Sequence, residues 1–425
     1  MKTYEWAVIG GGASGIAISE ILTREGHSVV LIEKNKKLAA ETTREFHEWI
    51  HTGSLYTLLP DDMSTLKFVL GSIDDLLEYY SSFERMNLIP TMKGLKINPR
   101  EDGWFYTNYI NFKFRISGRK VAVPWLFIVG RSLKLLKNIH EHDWLRRRGG
   151  VLDVFKKDLW KGLLRNVLIL LKYHGKFFKV ETSDFTTNSR HLLRDILATA
   201  IKNSLEISTD NAVINIEKNG GVTEVKGEKE SFRVKNVAIC AGAEVKNYFD
   251  VSIKTSYAPI AIAGGFDRDT NSFVELDYLQ KKCINLITKK NGIGMIGGIS
   301  FNKLNDCEPY FEYIIEEHKK YNPNIKILEK YIGKKNEITF KGEDRNYLYH
   351  VIQHEDKTNV WALIPGKFTL VFSMAPEFYR RVYQRNPRKN FIASMDNGDH
   401  KDLVANTVWH DTYNKHFNSK ENQWE

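Results

Sequence analysis

The fold of this chain is decided near its start by residues 6–33, which read WAVIGGGASGIAISEILTREGHSVVLIE. A short apolar run ends in three glycines, and apolar residues then recur at the spacing of a helix. Gly26 interrupts that pattern, and a second apolar run follows it. The stretch therefore predicts a strand, a tight turn, a helix and a second strand within about 30 residues, which is one βαβ unit.

Three of these glycines have the spacing of a dinucleotide-binding turn, and each has a separate task. Gly10 permits the tight turn, Gly12 lets a pyrophosphate approach the backbone, and Gly15 lets the helix pack on the strand. The amides at the start of the helix, which include those of Ala13 and Ser14, attract phosphate groups together with the helix dipole. The motif predicts a bound nucleotide cofactor.

An acidic residue, Glu33, ends the second strand of this unit. Its carboxylate can accept hydrogen bonds from the hydroxyl groups of a ribose, and it disfavours a 2′-phosphate at the same place. The glycine motif and Glu33 do not distinguish FAD from NAD. That distinction depends on residues further along the chain.

Composition narrows the class of protein. The 425 residues include only three cysteines, without the C-x-x-C spacing of a zinc or redox motif, so neither a disulfide framework nor a cysteine metal site is expected. We expect a cytoplasmic protein, because residues 1–6 lack the layout of a signal peptide and no apolar stretch approaches the ~18 residues of a membrane span. We expect no metal site.

Periodicity predicts alternating helices and strands along most of the chain. The predicted helices cover residues 64–85, 189–201, 310–332 and 369–384. The predicted strands lie at 212–216, 222–226 and 237–240, in the strand-rich region 255–300, and in two runs within 346–364.

Residues 38–44 and 49–53 carry a resemblance to a known family. The chain resembles the D-amino-acid oxidase-like (DAO) superfamily of flavoproteins, which includes glycine oxidase, sarcosine oxidase and L-2-hydroxyglutarate dehydrogenase. In that family an acidic residue ends the second strand, a loop containing Ser or Thr follows, and a His passes beside the flavin ring. The resemblance implies FAD as the cofactor, with Lys34, Thr42 and Thr43 in the cofactor loop and His51 beside the ring.

Later segments match the same family in the expected order. Val213 begins a strand that resembles the one whose backbone contacts the adenine, and Ala241-Gly242 resembles the second glycine motif, although the usual spacer between the two is missing. Arg345 takes the place of an arginine near the substrate. The loop Gly366-Lys367-Phe368-Thr369 resembles the closing loop whose amides face the pyrimidine end of the flavin.

The resemblance implies an α/β fold, α+β overall, in which a Rossmann-like FAD-binding domain is joined to a mixed-sheet substrate domain. The implied FAD-binding domain is discontinuous. We expect it to comprise residues 1–90, 181–250 and 336–385, with the substrate domain at 91–180 and 251–335 and a C-terminal tail at 386–425.

The activity that the resemblance implies is hydride transfer to FAD from a C–N or C–O bond of a small carboxylate-bearing amine or hydroxy acid. His51 has three interpretations: a base or hydrogen-bond partner of the substrate, a covalent flavin anchor, or a packed histidine of the FAD loop. Arg345 either binds a substrate carboxylate or forms a surface salt bridge. The sequence indicates neither the electron acceptor nor the oligomeric state.

The net charge of +10 has a local origin, because residues 101–180 contain 17 Lys and Arg against 6 Asp and Glu. Within them, 146–172 has the pattern of a basic amphipathic helix. It could pack in the substrate domain, lie on an anionic membrane surface, or bind an acidic macromolecule. Two further functions therefore stay open: a peripheral membrane flavoprotein reducing quinone, and an RNA-modifying flavoprotein, which is less favoured because no RNA-binding module is recognisable.

Overall fold

A computed structural model gives the fold of the chain. It describes residues 1–52, 56, 64–91, 94–107, 111–115, 177–181, 184–219, 221–267, 270–277, 282–289, 292–339, 346 and 348–417. Arg345, Gly53 and the basic segment 146–172 lie outside the described residues.

The described residues form strands and helices that we number in chain order. The strands are β1 Thr3–Ile9, β2 Val29–Ile32, β3 Trp49–Ile50, β4 Leu88–Thr91, β5 Gly94–Ile97, β6 Phe105–Thr107, β7 Asn111–Arg115, β8 Phe177–Glu181, β9 Phe185–Thr187, β10 Glu206–Ser208, β11 Val213–Asn219, β12 Val222–Gly227, β13 Ser231–Ile239, β14 Ile253–Gly264, β15 Phe273–Asp277, β16 Lys282–Thr288, β17 Ile293–Gly298, β18 Lys326–Ile338, β19 His350–Gln353 and β20 Val360–Ile364. The α-helices are α1 Ala13–Arg24, α2 Thr42–Glu45, α3 Ser64–Tyr79, α4 Ser189–Lys202, α5 Cys307–Tyr321, α6 Val371–Tyr383 and α7 Val408–Phe417.

The first sheet contains the predicted βαβ unit, which is confirmed as β1, α1 and β2. Strands β10, β2, β1, β13 and β20 run parallel in that order, and β19 pairs antiparallel with β20 at the edge. The strand β13 is longer than expected. Its first half pairs antiparallel with β12, while residues 237–239 pair with β20. The antiparallel β11–β12–β13 meander therefore branches from the parallel sheet.

Both faces of the parallel sheet are buried, which explains the apolar runs that predict its strands. Side chains alternate along β1, so Trp6 and Val8 face one side and Ala7 and Ile9 the other. On the first side α1 packs against α4 and α6, and α3 packs against α6. On the second side lie the meander and the end of β18.

The second sheet has the order β18-β14-β17-β16-β15-β7-β8 and is mixed, because β15 and β7 run parallel whereas the other neighbouring strands are antiparallel. Helix α5 packs on one of its faces and Trp409 of α7 on the other. The parallel first sheet and the mixed second sheet confirm the expected fold class.

The predicted helix 310–332 is wrong in its second half. Helix α5 ends at Tyr321, and Asn322 and Pro323 follow it; a proline removes a backbone donor and restrains the residue before it from helical geometry. Residues 326–338 instead form β18, which pairs with the whole length of β14. The helix predicted at 64–85 likewise ends at Tyr79, because Phe83 and Met86 form tight turns with their amides donating three residues back.

The C-terminal residues pack on the rest of the molecule. Val404 bridges to Leu38, and Trp409 is almost completely buried against the second sheet. Within the described residues, the helices are too short or too polar to cross a lipid bilayer.

Candidate cofactor and substrate site

A cavity of about 500 Å³ lies where the carboxyl ends of the parallel strands meet the second sheet. Open parallel sheets bind ligands at this edge, where helix N-termini and loops converge. The cavity brings together most of the residues that the sequence indicates: Gly10, Gly12, Ala13, Ser14, Glu33, Lys34, Thr42, Thr43, His51, Val213, Ala241, Gly242, Gly366, Lys367 and Phe368.

The three glycines of the N-terminal turn have different surroundings. Gly10 has φ +102°, and a Cβ on it would lie 2.7 Å from the carbonyl oxygen of Cys240. A Cβ on Gly15 would lie 1.9 Å from the carbonyl oxygen of Gly10. The packing of the protein itself thus excludes a side chain at both positions, and Gly15 does not line the cavity.

Gly12 is different, because the protein leaves room for a side chain there. Its backbone has φ −71° and ψ −176°, which any residue adopts, and the nearest atom to an added Cβ would be Thr43 Oγ1 at 3.5 Å. Gly12 lines the cavity. The space beside it at the start of α1 fits a group that must approach the backbone closely, such as a pyrophosphate.

The carboxylate of Glu33 is held in one orientation at the end of β2. Its Oε2 accepts the amide of Gly11 at 2.6 Å, and its Oε1 accepts the amide and the side-chain nitrogen of Asn35 at 2.8 and 2.7 Å. Each oxygen of a carboxylate has about two acceptor positions, so Oε2 can also accept a hydroxyl group from the cavity. This geometry fits the sugar of a nucleotide.

The loop after β2 is fixed across the entrance to α1. Thr43 Oγ1 accepts the amide of Ala13 at 3.2 Å, and Thr42 Oγ1 donates to the carbonyl of Lys334 at 3.0 Å. Lys34 forms salt bridges with Glu41 at 2.9 Å and Glu244 at 2.6 Å. These contacts hold the loop against the segment after β13, which carries the second glycine motif, and against β18.

Two further glycines on the cavity wall need the left-handed backbone region. Gly242 has φ +56° and follows β13, and Gly366 has φ +64° and follows β20. The turn at Gly366 leads into a short 3-10 helix at Phe368–Leu370 and then into α6, so its amides lie at a helix start beside the cavity. Lys367 Nζ lies 4.7 Å from the ring centre of Tyr56.

His51 lies on the wall of the cavity just after β3. Its ring is 4.2 Å from that of Trp49, centre to centre, and its Nδ1 lies 3.9 Å from Asp184 Oδ2, which is too long for a hydrogen bond. Burial lowers the pKa of His51 below its ordinary value; Asp184 opposes this, and the positive charges of Lys367 and Lys335 add to it. The imidazole is therefore neutral at neutral pH.

One predicted residue, Thr369, has other surroundings than expected. Thr369 does not line the cavity; its Oγ1 accepts the amide of His51 at 2.9 Å and its carbonyl accepts Ser72 Oγ at 2.5 Å. It therefore supports the His51 backbone. Arg345 lies outside the described residues.

A buried ion pair that the sequence did not indicate lies beside the cavity, on the side of the second sheet. Glu48 has φ +56°, and its Oε2 accepts Lys289 Nζ and Trp409 Nε1, both at 2.6 Å. Its Oε1 accepts the amide of Ser189 at 3.0 Å and the hydroxyl at 2.6 Å. Burial acts to raise the pKa of Glu48, but Lys289 and the other donors outweigh it and hold that pKa below its ordinary value.

The structure also adds cavity residues that the sequence did not single out, among them His47, Tyr248, Asn285, Lys335 and Asn336. Asn285, Lys335 and Asn336 are on the second sheet, far from the glycine motif in sequence. Only tertiary pairing brings them to the site. Among the described residues, no group of three or more His, Cys, Asp or Glu is arranged to hold a metal ion.

Comparison with known proteins identifies the family of the chain. Residues 5–256 match the family model "DAO: FAD dependent oxidoreductase", which is more than half of the chain. No curated protein matches the chain significantly.

Solved structures show the same fold at low identity. L-proline dehydrogenase from P. horikoshii has a TM-score of 0.62 at 12% identity, covering 91% of this chain and 94% of that one. L-alpha-glycerophosphate oxidase from Mycoplasma pneumoniae, solved with FAD bound, has a TM-score of 0.61 at 17% identity and coverage of 96% and 100%. Glycine oxidase from Geobacillus kaustophilus has a TM-score of 0.60 at 12% identity and coverage of 95% and 98%. The chain belongs to the DAO family of FAD-dependent oxidoreductases, and its cofactor is FAD.

Proposed function

We propose that this flavoenzyme oxidises a C–N or C–O bond in a small carboxylate-bearing amine or hydroxy acid. The observation that carries the proposal is a neutral histidine, His51, on the cavity wall together with Lys335 and Lys367. A neutral imidazole accepts a proton, and ammonium groups attract a carboxylate. The similar structures named for proline dehydrogenase and glycine oxidase support an amino acid as one such substrate.

The residues that would hold FAD follow from the contacts of the cavity wall. The amides at the start of α1, at Gly12, Ala13 and Ser14, would face the pyrophosphate, and Glu33 would accept the ribose hydroxyls. Val213 would lie by the adenine and the turn at Gly366 by the flavin ring. When bound, FAD supplies the acceptor for the hydride.

The protein's own part in the reaction is to take a proton and to hold the substrate. Nδ1 of His51 lies on the side of Asp184, which leaves Nε2 to accept the proton of the amine or hydroxyl group. The backbone amide of His51 is fixed by Thr369. The charges of Lys367 and of Lys335, which is paired with Glu337, favour the neutral form of His51, and we expect the substrate carboxylate to lie on the same side.

The direct test is an anaerobic stopped-flow screen of amino acids and 2-hydroxy acids for bleaching of the flavin absorbance. The proposal predicts that at least one member of these two classes reduces the flavin rapidly, and that denaturation releases FAD. Purified holoenzyme that no member of either class bleaches would contradict the substrate class. Protein without flavin absorbance would contradict the cofactor site as well.

Two further proposals concern the domain division and the basic segment 146–172. We propose that residues 1–90, 181–250 and 336–385 form the FAD-binding part, and that 146–172 contacts an anionic membrane surface. Co-sedimentation with vesicles containing anionic lipid tests the second proposal. Charge reversal at Lys156 and Lys157 should abolish it, and co-sedimentation that ignores this change would contradict it.

A further inference from the structure

The C-terminal residues 403–411, which we call the strap, contact the loop 38–48 at its start, middle and end. At the start of the loop, the amide of Leu38 donates to the carbonyl of Leu403 at 2.7 Å, and the amide of Ala405 donates to the carbonyl of Leu38 at 2.9 Å. Among the described residues, the loop lines the cavity and the strap does not. The strap therefore supports the loop from behind.

The other two contacts are made by side chains. Arg44, in the middle of the loop, forms a salt bridge with Asp411 at 2.6 Å, and Glu48, at its end, accepts Trp409 Nε1 at 2.6 Å. The salt bridge is partly exposed and contributes little by itself. Trp409 is 1% exposed and packs on the second sheet. The strap is thus anchored on the substrate side of the molecule while it holds both ends of the loop.

The two ends of the loop have a backbone conformation that most residues avoid. Ala39 and Glu48 both have φ +56°, in the left-handed region that favours glycine. Residues with a Cβ stay in this region only where surrounding contacts hold them there. The strap supplies such contacts at Leu38, next to Ala39, and at Glu48 itself. Loss of these contacts would favour other conformations of the loop.

The loop also lies directly against the glycine turn. The amide of Ala39 donates to the carbonyl of Gly11 at 2.8 Å, and a Cβ on Gly11 would lie 2.4 Å from the side chain of Leu38. Further along the loop, Thr43 Oγ1 accepts the amide of Ala13 at the start of α1. The position of the loop therefore shapes the place where the pyrophosphate of FAD would lie.

We infer that the strap is a positioning element for FAD, which holds the loop 38–48 in the conformation that binds the cofactor without itself lining the cavity. The inference rests on the proposed placement of FAD at the glycine turn. When only one conformation of a protein binds a ligand, the apparent affinity falls with the population of that conformation. A weakened strap should therefore weaken FAD binding, and bound FAD should in turn stabilise the contacts of the strap.

The first test removes one amide of the strap. Ala405→Pro abolishes the donor to the carbonyl of Leu38, and Ala405→Ser is the matched control that keeps it. Titration of each apoprotein with FAD, followed by quenching of flavin fluorescence, should give a dissociation constant about fivefold higher or more in Ala405→Pro, as one unsatisfied hydrogen-bonding group implies. Ala405→Ser should bind FAD like the wild type. Urea denaturation of the same apoproteins measures their stability, and a lower midpoint in Ala405→Pro with an unchanged dissociation constant would overturn the inference.

Hydrogen exchange of the wild type, with and without FAD, tests the same coupling without a variant. Bound FAD should slow the exchange of amides in the strap and in the loop 38–48, as well as in the glycine turn 10–15. Helix α5, which packs on the opposite face of the second sheet from Trp409, should exchange as before. Protection of the turn without protection of the strap would overturn the inference alone. A turn that FAD does not protect would contradict the proposed placement of the cofactor, and the inference with it.

Discussion

At the scale of single residues, the proposed reaction depends on the charge of one imidazole, that of His51. The pKa of His51 is lowered chiefly by burial and further by the ammonium groups of Lys367 and Lys335, whereas Asp184 favours the charged form. A base must be neutral to accept a proton, so activity should be retained above the pKa of His51 and lost as the pH falls through it. Because that pKa lies below the ordinary value, the acid limb of the pH profile should lie below about pH 6.5.

Replacement of Asp184 should shift the pKa of His51 in a direction that can be measured. In Asp184→Asn the charged imidazole loses its stabilising carboxylate, so the pKa of His51 falls further and the acid limb of the rate of flavin reduction moves to lower pH. Thr52→Val is the matched control, because Thr52 Oγ1 donates to the same carboxylate at 2.6 Å and the change leaves the charge in place. An acid limb that stays in place or moves to higher pH in Asp184→Asn would count against His51 as the base.

At the scale of elements, the N-cap of helix α4 should make a measurable contribution to the free energy of unfolding. Asn188 precedes the helix, and its Oδ1 accepts the amide of His191 at 3.1 Å, which is the geometry of an N-cap. Asn188→Ala should lower the free energy of unfolding by about 1 kcal/mol. Asn203→Ala at the other end of the helix should change it by less than about 0.5 kcal/mol. Equal effects in urea denaturation would show that the cap carries no special stabilisation.

Elements with a strong local pattern could be predicted, and those fixed by distant partners could not. The βαβ unit, α4 and α6 each contain local features that predict them, such as glycines at turns, a capping residue or an apolar stripe. Residues 326–332 also have apolar residues at spacings that suit a helix, and only their pairing with β14 makes them a strand. The first half of β13 escaped prediction because its antiparallel partner, β12, provides the pairing that extends it.

The candidate site likewise contains residues that a local pattern predicts and residues that only distant partners bring there. The glycine turn, Glu33 and His51 lie within one stretch of 42 residues, 10–51, whose pattern is local. Lys289 meets Glu48 across 241 positions of sequence, and Asn285 reaches His47 through the second sheet. A buried lysine gives no periodic signal, so these residues became visible only in three dimensions.

At the scale of the whole molecule, the ion pair of Glu48 and Lys289 joins parts of the chain that are distant in sequence. Glu48 also receives hydrogen bonds from Trp409 of α7 and from Ser189 at the start of α4, and Lys289 donates to the hydroxyl of Tyr106 at 2.9 Å. Both side chains are almost completely buried. Removal of one partner therefore leaves a charge in the interior without its counter-ion.

A double-mutant cycle measures the interaction free energy between Glu48 and Lys289. Glu48→Gln and Lys289→Met should each lower the free energy of unfolding by about 3–5 kcal/mol, since each leaves one buried charge alone. The double variant should be less destabilised than the sum of the two, because it leaves neither charge. Strictly additive losses in denaturant unfolding would show that the two residues act separately.

We propose that FAD rests on the amides of the N-terminal glycine turn, so a side chain at Gly12 should compete with the cofactor for the same space. The protein leaves 3.5 Å between a Cβ at Gly12 and the nearest protein atom, so Gly12→Val should fold as the wild type does while placing its side chain in the cavity. Titration of the apoprotein with FAD, followed by quenching of flavin fluorescence, should give a dissociation constant at least about tenfold higher, the cost of overpacking a close contact. Gly221→Val, at a glycine with open surroundings between β11 and β12, should bind FAD like the wild type. An unchanged dissociation constant in Gly12→Val would contradict the placement of FAD at this turn.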